Sequence, residues 1–247
     1  MGKHTKIRLY VDMPLQQEVV VELPKDQAHY LHTVMRVAVG SIVLLFNGRD
    51  GGWQSKIVEI SKKTVLLLPM LCIESQSAPP DVWLVFAPIK KGRLDYMVEK
   101  ATEMGVAKIV PMATEFTNFS KVKIEKMQAN AVEAAEQCER LDVPEVTEIQ
   151  SLKTLLKTWP EGRHIMFCDE SFSDITALEA LLSVDKKATK KPWAIFIGPE
   201  GGFSETERTL IKARPETTVV SLGPRILRAD TAAVVAMSLW QTALGDW

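Results

Sequence analysis

Trp193-Ala194-Ile195-Phe196-Ile197-Gly198-Pro199-Glu200-Gly201-Gly202-Phe203 is an unbroken apolar run that stops at a glycine-proline turn. A second stretch repeats the pattern: Val219-Val220-Ser221-Leu222-Gly223-Pro224-Arg225-Ile226-Leu227-Arg228, continuing into Ala229-Asp230-Thr231-Ala232. A short apolar run without alternation suits a strand buried on both faces, as in a parallel sheet. The turn at the carboxyl end of such a strand is where open α/β sheets bind ligands. Two such turns on neighbouring strands would make two walls of one pocket.

Working outward, strands and helices alternate. Apolar runs predict strands at 82–87, 106–112, 164–168, 193–197 and 219–222. Helical spacing predicts helices at 92–104, 124–140, 175–182 and 231–244. In the first of these, Leu94, Met97, Val98, Ala101 and Met104 share a face, and Gly105 is a natural residue just past the end. Ser204-Glu205-Thr206-Glu207 is a capping box that opens a further helix. This alternation predicts a mostly parallel sheet covered on both faces. Spacing alone gives an unknotted doubly wound sheet, because knots are nearly absent among folds.

The first 72 residues read differently. Segments 7–11, 19–23, 41–46, 53–60 and 64–71 are short, β-branched and bounded by turns. Asn47-Gly48 and Asp50-Gly51-Gly52 supply hairpin chemistry. One helix, 25–37, carries Leu31, Val34 and Met35 at helical spacing, with Gly40 beyond its end. A small β-rich barrel is expected over 1–73. The polar, proline-terminated stretch 74–80 is the linker, and the α/β domain occupies 80–247.

Composition excludes more than it assigns. The chain has 247 residues, 46% of them hydrophobic, and a net charge of −1, so it has a real core and no global nucleic-acid signal. A local basic face remains compatible with RNA. Cys72, Cys138 and Cys168 lie far apart, and the four histidines form no HExxH, so neither a disulfide frame nor a metal site is expected. No apolar run reaches membrane-spanning length and the N-terminus lacks a signal-peptide core. A soluble cytoplasmic protein without membrane or metal partners is the expectation.

The motifs each allow a plain structural reading. Gly201 and Gly202 remove side chains where something must approach the backbone, but a tight βα turn needs nothing bound. The pattern is not GxGxxG, and no acidic residue follows at the ribose-binding distance, which disfavours a nicotinamide cofactor. Arg225 and Arg228 sit in an otherwise apolar loop and invite a ligand or an RNA phosphate, or are simply solvated. Asp230 or Thr231 can cap the last helix. Lys90-Lys91-Gly92-Arg93 suits a phosphate backbone, or serves as a solubilising loop. His29, His32 and Arg36 form one stripe of the small helix, which is either an RNA-facing surface or an ordinary exposed one.

Taken together, His29-x-x-His32-x-x-x-Arg36, Lys100-Ala101-Thr102-Glu103-Met104-Gly105-Val106, Glu133-Ala134-Ala135-Glu136-Gln137 and the two C-terminal turns resemble the RsmE family. These are small-subunit ribosomal RNA methyltransferases of the SPOUT class, and the resemblance spans nearly the whole chain. It implies an α/β SPOUT fold with a C-terminal trefoil knot, preceded by a PUA-like barrel, in a homodimer. It implies methylation of uracil N3 at a decoding-region uridine of 16S rRNA, with S-adenosylmethionine as cofactor and the small ribosomal subunit as partner. Ile197, Gly198, Pro199, Gly201, Gly202, Leu222, Gly223, Pro224, Ile226 and Leu227 would form the cofactor pocket. Arg228 would steer or stabilise the uracil, and Glu200 or Glu170 would assist deprotonation. Arg8, His32, Arg36, Lys91, Arg93 and Arg140 would contact RNA. Two alternatives are a SPOUT 2′-O-methyltransferase of tRNA or large-subunit RNA and a non-catalytic assembly factor. One departure stands out. Glu115-Phe116-Thr117-Asn118-Phe119-Ser120 is neutral or apolar apart from Glu115, where relatives carry a basic stretch, so Lys121 and Lys123 take over its role or RNA docks differently.

Overall fold

A computed structural model of the chain describes residues 7–61, 63–118, 122–171, 175–184 and 191–247. Lys121 lies outside them. The chain divides into two compact units, Met1–Ala78 with Ala135–Val143, and Pro79–Ala134 with Pro144–Trp247.

The first unit is built on a five-stranded sheet. Its strands are β1 (Arg8–Tyr10), β2 (Val21–Glu22), β3 (Ile42–Phe46), β4 (Gly52–Ile60) and β5 (Val65–Glu74), in the order β1-β3-β4-β5-β2. Only β1 and β3 run parallel. Leu9, Val11, Leu31, Val43, Leu45, Ile57, Val65 and Leu67 form its core. The helix expected over 25–37 is shorter and changes pitch. It runs as α1 (Lys25–His29) and then widens into a π turn at Tyr30–Val34, closed by Met35 N–H donating to the Tyr30 carbonyl. The wide turn keeps Leu31 fully buried, and Arg36 then ends the helix in the left-handed region at φ +51°. The end of the long helix belongs to this unit, where Glu136 Oε1 accepts from the Tyr10 amide at 2.9 Å.

In the second unit the sheet is parallel throughout. Strands β6 (Val82–Phe86), β7 (Lys108–Ala113), β8 (Glu145–Val146), β10 (His164–Cys168), β11 (Trp193–Ile197) and β12 (Thr217–Val220) lie in the order β12-β10-β11-β6-β7-β8, and β9 (Gln150–Ser151) pairs with β7. Seven of the buried side chains in this core, Val85, Met112, Ile165, Phe167, Ala194, Phe196 and Ile211, come from different strands and a helix that cover it. The helices are α2 (Lys91–Glu103), α3 (Ile124–Gln137), α4 (Leu152–Lys157), α5 (Ala177–Leu182), α6 (Glu205–Lys212) and α7 (Ala229–Leu244). Strands β8 and β9 and helix α4 were not expected: each is two to six residues long and too short for a periodic signal.

Helix α7 packs against α2, α5 and β11, with Ala233, Ala236, Met237 and Trp240 buried. It begins two residues earlier than expected. Arg228 is its N-cap residue and no side chain caps it, so neither Asp230 nor Thr231 has that role. Asp230 instead sits in the first turn, where a carboxylate meets the positive end of the helix. Among the described residues, no helix is long and apolar enough to cross a membrane and no cluster of side chains could hold a metal ion.

Candidate functional site

Because β10, β11 and β12 are parallel neighbours, their carboxyl ends emerge at one edge of the sheet. Three segments leave that edge, and together they wall a cavity of about 650 Å³. The first contributes Cys168, Asp169 and Glu170, the second residues 197–202, and the third residues 221–229 with Ala232. All ten residues read as cofactor-binding line it, as do Glu170, Glu200 and Arg228.

The glycines of the 198–203 turn are needed for protein neighbours, which changes their meaning. A Cβ on Gly198 would stand 2.8 Å from the Phe203 ring, and one on Gly201 would stand 3.1 Å from the Phe116 side chain. Gly202 is at φ +70°, and its Cβ would fall 2.0 Å from Glu170 Oε1. The close approach that these residues permit is therefore the protein's own. Gly223 is different. It lies at φ +103° with nothing within 4 Å of where a Cβ would stand, so its open side is free for a ligand.

An ionic cluster that sequence reasoning missed braces this edge. Arg208 donates to Asp169 and to Glu170, and its Nε donates to the Phe203 carbonyl at 3.0 Å. Lys212 Nζ lies 2.7 Å from Asp169, whose side chain is fully buried. Burial alone would raise the Asp169 pKa, but Lys212, Ser171 and Arg208 outweigh it and hold the carboxyl below its ordinary value. The signal was present in Asp169-Glu170 directly after an apolar strand and in Arg208 and Lys212 one helical turn apart. Cys168, buried beside them, has its thiol pushed far up by desolvation and stays protonated.

The carboxylates read as proton acceptors both reach the cavity, and both are already engaged. Glu170 pairs with Arg208, and Glu200 accepts from Arg93 at 2.7 Å. Arg93 also lies 3.4 Å from Asp230, so it ties the first turn to the start of α7. Arg228 is exposed, and among the described residues nothing pairs with it. Lys91 is also exposed, at the first position of α2.

In the first unit the residues read as RNA contacts separate into two groups. Arg8 is spent internally: it pairs with Glu74 at 3.2 Å, donates to the Glu139 and Arg140 carbonyls, and is only 7% exposed. Arg140 pairs with Asp142 at 2.7 Å. Buried guanidinium groups require such partners, so Arg8 fastens Ala135–Val143 to the sheet while Arg140 is held within that segment, and neither presents a free charge to a phosphate. Arg36 is exposed, and His32 is half-buried beside Thr33.

Comparison with known proteins agrees with this geometry. Residues 76–241 match the RNA methyltransferase domain family, and residues 23–70 match the RNA methyltransferase PUA domain. Ribosomal RNA small subunit methyltransferase E of Rickettsia conorii is 30% identical over 94% of this chain and 93% of its own length. The Bacillus subtilis protein of the same name is 28% identical over 96% of this chain and 97% of its own length. A Legionella pneumophila protein solved with bound SAM superposes with a TM-score of 0.85 at 28% identity, covering 98% of this chain and 99% of that one. The parallel sheet and its helices are thus the α/β SPOUT architecture, with a PUA-like unit before it. By the length and number of these matches, the chain belongs to the RsmE family of RNA methyltransferases.

Proposed function

We propose that this protein uses S-adenosylmethionine to methylate uracil N3 at a decoding-region uridine of 16S rRNA. The observation that carries this reading is that both glycine turns wall one cavity at the carboxyl edge of β10, β11 and β12. Its residues suit the cofactor. Ile197, Leu222, Ile226 and Leu227 offer apolar surface to an adenine and a methionine chain, while Asp169, Glu170 and the turn backbones offer polar contacts. When bound, the cofactor supplies a methyl group on an electrophilic sulfonium.

Uracil N3 carries a weakly acidic proton and must lose it to become the nucleophile. Arg228 would stabilise the negative charge that develops on the uracil, since its guanidinium is at the cavity and has no internal partner among the described residues. Glu200 and Glu170 are candidate proton acceptors, each engaging its arginine through Oε1. The remaining demand is alignment of N3 with the methyl carbon, which positioning supplies without covalent catalysis. N3 lies on the pairing edge, so the base must be unpaired when it reacts.

The partner would be 16S rRNA or the small ribosomal subunit, in the cytoplasm. The first unit would add RNA contacts through His32 and Arg36, and Lys91 and Arg93 would add them at the mouth of the site. A homodimer is supported by α7, whose Val234, Val235 and Leu239 stay half-exposed after its buried face is satisfied. A threaded C-terminal segment is supported at Ser221, which pairs in parallel with Thr176 and exchanges backbone hydrogen bonds with Ile175 and Ala177. The PUA match and the small-subunit names of the relatives favour this target over a 2′-O-methyltransferase. The test is mass spectrometry of 16S rRNA from a strain lacking the gene. Loss of 3-methyluridine, restored by the wild-type gene, is expected; its persistence refutes the proposal.

A further inference from the structure

Phe116 is a large apolar side chain left 43% exposed in a segment that is otherwise short of charge. Its position is held from two sides. The Thr114 amide donates to Thr117 Oγ1 at 2.8 Å, and Thr117 N–H returns a bond to the Thr114 carbonyl at 3.1 Å, closing a tight turn around it. The Glu115 amide donates to Glu207 Oε1 at 2.9 Å, while Glu207 Oε2 accepts from Ser204 N–H at 3.0 Å within the α6 capping box. One carboxylate therefore locks the 114–117 turn to the helix that follows the first glycine turn. Beneath it, Gly201 leaves room for the Phe116 side chain, 3.1 Å from where a Cβ would be. Gly201 lines the cavity and Phe116 does not, so the ring stands at the rim, on the outer side of that wall.

An exposed aromatic ring held rigid at the mouth of a nucleic-acid site is a stacking platform. On the reading that this cavity serves RNA methylation, we propose that Phe116 stacks on a nucleobase flanking the target uridine. Its place outside the cavity assigns it to a neighbour of the target. Stacking also accounts for a neutral segment at this rim: a π-face grips a base without a phosphate charge. Arginine platforms do the same by stacking their planar guanidinium groups.

The experiment measures both the Kd for an RNA oligonucleotide carrying the target and the steady-state constants for its methylation. Phe116→Ala is expected to weaken RNA binding and raise KM for RNA by about tenfold or more, with kcat and S-adenosylmethionine affinity within about twofold. Phe116→Trp should restore binding, and Phe116→Leu, which keeps apolar cover over Gly201, should not. Abasic substitution at one flanking position should cost the wild type the same factor and cost Phe116→Ala nothing further. The assignment is overturned if Leu rescues as well as Trp, if RNA affinity is unchanged in Phe116→Ala, or if the two penalties multiply at every flanking position. Absence of methylation by the wild type would instead sink the functional reading, and the RNA-binding series would still decide the role of Phe116.

Discussion

The 198–203 turn is fastened on every side, whereas the 222–227 segment opposite it stands nearly free. Glu200 is tied to Arg93, the Phe203 carbonyl to Arg208, and Ser204 to Glu207. Gly198, Gly201 and Gly202 each face another side chain at or under 3.1 Å from a Cβ position. Across the cavity, one backbone hydrogen bond among the described residues, from Gly223 N–H to Ser221 Oγ, serves the whole of 222–227, and Ile226 is 94% exposed. The same glycine-proline signature therefore does two jobs. One turn is a fixed wall, shaped before any ligand arrives. The other has backbone with few internal partners among the described residues and an apolar side chain in solvent, both of which a ligand or a second chain would cover. Ordering that segment on binding costs affinity, and the preset wall keeps the cost to one side of the site.

The largest predicted effect breaks the fixed wall at its root. Asp169→Ala leaves Arg208, 11% exposed, and Lys212 without their shared carboxylate. Unfolding in urea should show a loss of about 3–5 kcal/mol. The folded Asp169 pKa is depressed relative to the unfolded chain. Its contribution is therefore complete above an unfolded carboxyl value of about 3.9 and disappears as pH falls through the lower folded value. Wild type should lose stability on acidification below about pH 4, with the variant changing less over the same range.

A matched pair of glycine substitutions tests the comparison directly. Gly202→Ala places a Cβ on Glu170 at φ +70°, breaking into the Arg208 ion pair, and should cost about 1–3 kcal/mol of stability. Gly223→Val also carries positive-φ strain, about 1–2 kcal/mol, but its Cβ has no protein atom within 4 Å. Its effect should appear in binding: calorimetry should detect no S-adenosylmethionine affinity in a protein that remains folded. Equal binding loss in both variants, or retained binding in Gly223→Val, would erase the distinction between the two walls.

Much of this contrast was invisible in the sequence, for a physical reason. Parallel strands announce themselves as apolar runs, so β6, β10 and β11 and the capping box at Ser204 were legible. The residues that line the cavity were legible too, because ligand sites gather at carboxyl edges of such sheets. What a glycine makes room for depends on partners far away in the chain. Gly202 faces Glu170 and Gly201 faces Phe116, separations that no local pattern encodes. Arginine roles fail for the same reason. Arg8 looked like an RNA contact until Glu74 and the carbonyls of Glu139 and Arg140 claimed it. Helix α7 begins at Ala229, and its N-cap residue Arg228 makes no side-chain cap, so no capping signal marked its start.

On the free wall, Arg228, like Arg225, has no internal side-chain partner among the described residues, so removing it should spare the fold. Arg228→Ala is expected to lower kcat about tenfold with an unchanged melting temperature. A fall in stability instead would mean that the arginine braces the loop as Arg208 braces the opposite turn.

The smallest effect is expected at Arg93, which the two readings treat differently. Its pairs with Glu200 and Asp230 are 30% exposed on the arginine side, a setting in which an ion pair contributes under about 1 kcal/mol. Arg93→Ala should therefore shift the urea midpoint only slightly, because Gly202, Phe203 and the capping box still hold the turn. If Arg93 also meets an RNA phosphate, the same variant should weaken RNA binding uniformly across sequences and reduce the salt-dependence slope by about one. A stability loss comparable to that of Asp169→Ala would show that the fixed wall hangs on its exposed edge. A slope identical to wild type would confine Arg93 to its two carboxylate partners, leaving Lys91 and Arg228 to supply the charge at this mouth.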